Sequence, residues 1–252
     1  MTSEVREQLI RYAAQYETEA FLNGDPSSFM HRVSGEQNQE ATAFVASMLS
    51  FGNRKAFMPK IEELLNEADG DMFTWIRERR FKKYRALYGE GNFYRFFSRE
   101  QFRAFLRTYS EILDFNGSLK FFVYDCERDG NAQNAAKAIA AWFSDEDRRR
   151  GVAHSVVPAP WSSACKRLFM FLRWMVRDNS PVDIGIWSDI LDKETLIMPL
   201  DVHVMQEARR LGLIETDSAT FSTARRLTAT MAEVFPGDPL KGDFALFGVG
   251  VN

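Results

Sequence analysis

Residues 161–177 read WSSACKRLFMFLRWMVR and follow directly on Pro158-Ala159-Pro160. The two prolines forbid an ordinary helix just upstream. From Cys165 to Val176 apolar residues recur at three- and four-residue steps, the period of a helix with a buried face. Ser162 or Ser163 supplies a side-chain oxygen suited to cap that helix. Lys166 then falls in its first turn, where exposed N–H groups and the positive end of the helix dipole disfavour a further positive charge. A lysine at this end runs against ordinary helix design, in which acids lead. An amine destabilised as ammonium is a better nucleophile near neutral pH, which makes Lys166 a candidate reactive group. The plain alternative is a lysine that snorkels at the surface or meets a phosphate without reacting.

The helical period extends outward over Val5–Leu22, Ala41–Leu49, Phe57–Leu65 and Phe102–Leu113, and again over Ala135–Phe143, Val202–Leu211, Phe221–Phe235 and Phe244–Val251. Alternating β-branched runs are almost absent. Turn chemistry separates the segments at Asn23-Gly24-Asp25-Pro26, Gly70-Asp71, Asn116-Gly117, Asp129-Gly130 and Pro236-Gly237-Asp238-Pro239. An all-α fold is predicted. With 45% hydrophobic residues, 22 Phe and 5 Trp, the chain has ample material for a core.

No run approaches the roughly 18 apolar residues of a membrane span. The amphipathic, acid-bearing N-terminus fits neither a signal nor a transit peptide, so a cytoplasmic protein without a membrane partner is expected. Two cysteines, Cys126 and Cys165, cannot by themselves hold an iron–sulfur cluster or a structural zinc. They are expected to be reduced and mostly buried, and neither a metal nor a cofactor is expected. The net charge of −3 conceals basic clusters. Arg77, Arg79, Arg80, Lys82, Lys83 and Arg85 interleave with Phe81 and Tyr84. Other groups are Arg148-Arg149-Arg150, Lys166-Arg167 with Arg173 and Arg177, and Arg209-Arg210. Phosphate contact requires a local basic face and not a basic average; solvated, acid-balanced helix faces are the alternative.

Residues 196–213, LIMPLDVHVMQEARRLGL, hold the second candidate. Pro199 closes an apolar stretch, and Asp201 is placed to cap the helix that ends at Gly212. A carboxylate there is stabilised as the anion and held in one orientation, suited to face positive charge developing on a sugar. A purely structural cap is the alternative.

Together the two segments resemble the helix-hairpin-helix base-excision DNA glycosylases. That family carries apolar-Pro-Gly-Val-Gly-x-Lys-Thr-Ala at one helix start and Val-Asp-Thr-His-Val at another. Here Ser162-Ser163-Ala164-Cys165-Lys166 stands in the first place and Pro199-Leu200-Asp201-Val202-His203-Val204 matches the second. Phe44–Asn53 is similar to the family's early apolar helix ending in Leu-Ser-x-Gln, and the pattern is nearest to the archaeal 8-oxoguanine enzymes. Both hairpin glycines are replaced, the Lys166–Asp201 interval is lengthened, and the trailing four-cysteine cluster is missing. The extra segment, Asp178–Ile197, is expected to fold as a helical excursion that leaves its ends adjacent.

The resemblance implies two interleaved helical subdomains with a cleft between them, residues 1–45 with 202–252 and residues 46–201, the hairpin lying near 157–166. It implies a monomer that acts on double-stranded DNA bearing a damaged purine such as 8-oxoguanine, flips the base into a pocket, and cleaves it with Lys166 as Schiff-base nucleophile and Asp201 as sugar-stabilising carboxylate. Trp161, Asp243 and Phe247 would form the base pocket. Asn53 or Arg54 would fill the hole left by the base, while Lys82, Lys83, Ser162, Ser163, Arg167 and His203 would contact DNA. The pair is expected roughly 4–8 Å apart before substrate binds. Two other readings stand beside this one: a DNA-binding protein of the same fold without chemistry, and a metal-dependent hydrolase built on Asp201 and His203.

Overall fold

A computed structural model describes residues 1–160 and 163–251. In chain order the elements are α1 (Ser3–Tyr16), α2 (Ser28–His31), α3 (Glu36–Leu49), α4 (Arg54–Glu67), α5 (Met72–Arg77), β1 (Asn92–Tyr94), β2 (Phe97–Ser98), α6 (Arg99–Asn116), α7 (Leu119–Cys126), α8 (Ala132–Arg149), α9 (Lys166–Val176), α10 (Val202–Arg210), α11 (Phe221–Val234) and α12 (Lys241–Val251). The molecule is mostly helical, as the periodicity requires; a two-stranded hairpin is the only sheet among the described residues. No helix among them is long and apolar enough to cross a membrane. The expected first helix ends early, at Tyr16, and a short 3-10 turn, Glu19–Leu22, follows.

Contacts group the chain into two compact units: Met1–Asp25, Asp129–Ala136 and Ala159–Asn252 form one, Pro26–Arg128 and Lys137–Pro158 the other. These bounds differ from the expected 45/46 and 201/202, and both divisions keep Lys166 and Asp201 in one unit.

In the first unit α12 packs against α1, α10 and α11. Glycines permit the close approach: a Cβ at Gly242 would overlap Met231 of α11, and one at Gly248 would overlap Tyr16 of α1. Helix α9 is buried along Leu168, Phe169, Phe171, Leu172 and Trp174. The segment after it is a correction to expectation, because residues 178–200 contain only one 3-10 turn, Lys193–Thr195, and no longer helix. What orders this segment is the end of α9. Ile184 and Gly185 donate backbone N–H groups to the Trp174 carbonyl at 2.9 and 3.1 Å, and Trp187 donates to Met175 at 2.7 Å. These are carbonyls that a helix terminus leaves open. Gly185 has φ +63°, and a Cβ there would lie 2.9 Å from the Arg177 carbonyl oxygen, so only glycine fits. Trp187 is fully buried against Phe171, ring centroids 5.2 Å apart, and the Asp192 N–H reaches Gly130 at 2.8 Å. The excursion is expensive for a helix and cheap for this loop, whose donors match acceptors already waiting.

The second unit is built on α3, buried continuously from Glu40 to Leu49. Phe44 packs on Phe105 and Tyr109 of α6 and on Phe143 of α8, at 5.5, 5.0 and 5.7 Å. Two of its buried acids, Glu40 and Asp147, differ. Glu40 accepts N–H bonds from Leu119 at 2.7 Å and Lys120 at 3.0 Å, and so closes the start of α7. Asp147, 2% exposed, has no regular hydrogen bond at either carboxylate oxygen. Burial pushes its carboxyl up to about 6, against the opposing pull of Ser155 and Arg150.

Candidate active site

Helix α10 opens in the manner its sequence predicts. Asp201 is extended, and its Oδ1 accepts the Val204 N–H at 2.9 Å. Helix α9 opens differently from expectation. Lys166 is its first residue, Cys165 precedes it in the left-handed region with φ 53°, and no side chain caps the turn. Ser163 is exposed, and its hydroxyl accepts instead from the Cys165 N–H at 3.2 Å. Ser162 and Trp161, the other cap candidate and a proposed pocket residue, lie outside the described residues. Cys165 is 2% exposed, and burial raises its thiol to about 11; Cys126, expected to be buried, is exposed.

The Lys166 Nζ donates to Asp201 Oδ2 at 3.2 Å, although the two residues are 35 positions apart. This is tighter than the expected range and within reach of a charge-assisted hydrogen bond. The lysine side chain is 33% exposed and the aspartate 11%. One oxygen of Asp201 is spent on the helix cap and the other on the amine. The carboxylate is thereby fixed in direction, and an amine and a carboxylate stand in contact with the amine partly open to solvent. Such a pair can pass a proton from nitrogen to oxygen and oppose positive charge on an electrophile brought between them.

Asp243 and Phe247 stand one turn apart on α12. Asp243 is 4% exposed and ion-paired with Arg173 Nη1. Burial pushes its carboxyl up to about 6, against the pull of Arg173, and the charge of Asp201 adds to the rise. Asp243 therefore lies within electrostatic reach of the candidate pair. Phe247 is half-buried, with its ring 5.8 Å from Phe21 and edge-on to the exposed His203 at 6.3 Å. Five candidates, Lys166, Asp201, His203, Asp243 and Phe247, thus come from α9, α10 and α12 of one unit. Arg167 also lies there, partly buried, with desolvation lowering its guanidinium to about 10. Among the described residues no three His, Cys, Asp or Glu side chains group as metal ligands.

Two members of the expected basic face are misplaced by the sequence reading. Arg173 and Arg177 are 4% and 0% exposed. Arg173 Nε meets Asp183 at 3.1 Å; Arg177 meets Asp238 at 2.8 Å and Glu17 at 2.7 Å, and also pairs with Asp183. Both guanidiniums lie over the Phe244 ring, at 4.6 and 5.2 Å. The signal available was their spacing: 166, 173 and 177 fall on one stripe of α9, and its lower part faces inward. Arg148 and Arg149 pair with Asp145 and Glu146, Arg150 with Glu111 and Glu146, and Arg209 and Arg210 with Asp217 and Glu207. In the second unit Lys82 and Lys83 are exposed on a 3-10 turn, Arg80–Lys83. Asn53 caps α4 by accepting the Lys55 N–H at 2.9 Å, and Arg54 is that helix's first residue.

The family described as Protein of unknown function (DUF2400) matches residues 25–252. No curated protein and no solved structure matches the chain.

Proposed function

The chain belongs to the DUF2400 family of proteins of unknown function, and we propose that it is a DNA glycosylase with lyase activity, removing a damaged purine such as 8-oxoguanine from double-stranded DNA. One observation carries this reading: Lys166 Nζ stands 3.2 Å from Asp201 Oδ2, with the carboxylate held by its own helix cap. The similarity of Pro199–Val204 and of the Lys166 segment to the helix-hairpin-helix glycosylases supports it.

In the proposed reaction Asp201 takes a proton from Lys166, and the freed Nζ electron pair attacks C1′ of the flipped nucleotide. The N-glycosidic bond breaks, its electrons leave with the base, and the base takes up the proton that Asp201 had accepted. The Asp201 carboxylate restored in this way opposes the oxocarbenium character of the sugar. Ring opening of the C1′ adduct gives a Schiff base, and loss of a C2′ proton expels the 3′ phosphate. In this reading Phe247 stacks on the base and Asp243, one turn before it on α12, helps to hold it. Arg167 and His203 contact DNA beside the pair, and Asn53, Arg54, Lys82 and Lys83 are the second unit's own DNA contacts. The test is borohydride trapping on duplexes that each carry one lesion or an abasic site. Wild-type protein should form a covalent adduct, and Lys166→Gln should form none while remaining folded. Wild-type protein that binds DNA but yields neither adduct nor released base across a broad panel would favour the non-catalytic binder instead.

A further inference from the structure

The second unit carries an exposed aromatic that neither the fold nor the lysine chemistry uses. Strands β1 and β2 pair Asn92 with Ser98 and Tyr94 with Phe97, leaving Arg95 and Phe96 as the turn. Arg95 adopts φ 50°, a conformation non-glycine residues rarely take. Phe96 is 62% exposed. Its ring is backed on one side by Phe51, centroids 4.6 Å apart and planes 33° apart, and braced by Phe97 at 4.9 Å. Tyr94 Oη donates to the Phe51 carbonyl at 2.7 Å, and this ties the hairpin to the loop before α4. Arg95 lies against the same loop: a Cβ at Gly52 would be 2.6 Å from its Nη1.

That loop leads into Asn53, Arg54 and Lys55. The first turn of α4 holds no acid and two cations, which is unfavourable for an isolated helix start and favourable where an anion is to dock. A supported, exposed ring with Arg95 in its own turn, tied to the loop that leads into Arg54 and Lys55, has the two parts of a nucleic-acid stacking platform, an aromatic surface and nearby cations in the chain.

We propose that Phe96 is a stacking wedge for an unstacked nucleobase, with Arg95, Arg54 and Lys55 holding the adjoining phosphates. The inference rests on the nucleic-acid reading above and adds a contact which that reading lacks. It involves residues of the second unit alone.

The probe is a duplex oligonucleotide with 2-aminopurine opposite an abasic site, titrated with the intact protein. Wild-type binding should quench the 2-aminopurine emission as the base stacks on a ring. Phe96→Ala should abolish the quench and weaken binding about 5- to 100-fold, with the circular dichroism spectrum unchanged because the ring is exposed. Phe96→Leu should lose the quench as well, whereas Phe96→Trp should keep it. Arg95→Gln should reduce the slope of log K against log salt by about one. If wild-type protein binds and Phe96→Ala binds and quenches equally well, the wedge is wrong and the glycosylase reading stands. If wild-type protein binds no DNA at low salt, both fall.

Discussion

At the C-terminal end of α9 Arg173 and Arg177 are buried and met by Asp183, Asp238, Asp243 and Glu17; at its N-terminal end Lys166 is one-third exposed and met, among the described residues, by Asp201. The helix dipole favours cations at the first of these places and opposes them at the second. The arginines thus sit where electrostatics and packing agree, and their role is structural. The lysine sits where helix design would put an acid, beside a left-handed residue and no side-chain cap. Its position has no structural rationale of equal strength. One helix carries buried, multiply paired cations at one end and a part-exposed lysine at the other, and the contrast can be attacked from either end.

The largest effect is expected at the buried end. Arg177→Met keeps bulk but leaves Asp183, Asp238 and Glu17 without their shared cation, at a cost of about 3–5 kcal/mol. The corresponding Lys166→Met removes a single pair whose lysine is one-third exposed, and should change stability by less than about 1 kcal/mol. Urea unfolding of both variants decides the matter, and equal losses would erase the distinction between the two ends.

Next in size is the separation of charge from cap at Asp201. Asp201→Asn retains an oxygen for the Val204 N–H, since Asn caps about as well as Asp, but it removes the anion. Base release should slow by about 10²–10³-fold with little change in melting temperature. Asp201→Ala should lose the same activity and a further ~0.5–2 kcal/mol of stability. If Asp201→Asn excises at the wild-type rate, the carboxylate is a cap and nothing more.

A smaller effect sharpens what the arginines do, because Asp147 is a buried carboxylate to which no comparable arginine pair is committed. Its folded carboxyl titrates near 6, above the ordinary value of 3.8. Stability from its protonated form is therefore present below about pH 4 and lost as pH rises through about 6. Relative to wild type, Asp147→Asn should gain up to about 3 kcal/mol between pH 4 and pH 8, whatever the fixed cost of the amide. Chemical denaturation at the two pH values measures the difference; a difference independent of pH would mean Asp147 is better solvated than its burial indicates.

The sequence made the helices legible because their apolar periods are local, and Asp201 legible because capping is a three-residue matter. That Lys166 and Asp201 meet followed only from the family resemblance, as no local pattern spans such an interval. For Arg173 and Arg177 the local pattern showed only their shared stripe on α9 and not their partners, which come from the residue after α1, from the loop after α9, from the turn before α12 and from α12 itself. The hairpin 92–98 was missed because its strands are too short to show alternation. The expected helical excursion failed because what organises residues 178–197 is a set of vacant carbonyls on another element, which composition does not reveal.

That segment has an evolutionary side. Its inner part, Val182 to Trp187, is fastened to the end of α9, while Ser188 and Asp189 are exposed. Residues added or removed at the outer turn would leave the fastening untouched, so the interval can change in length without moving Lys166 from Asp201.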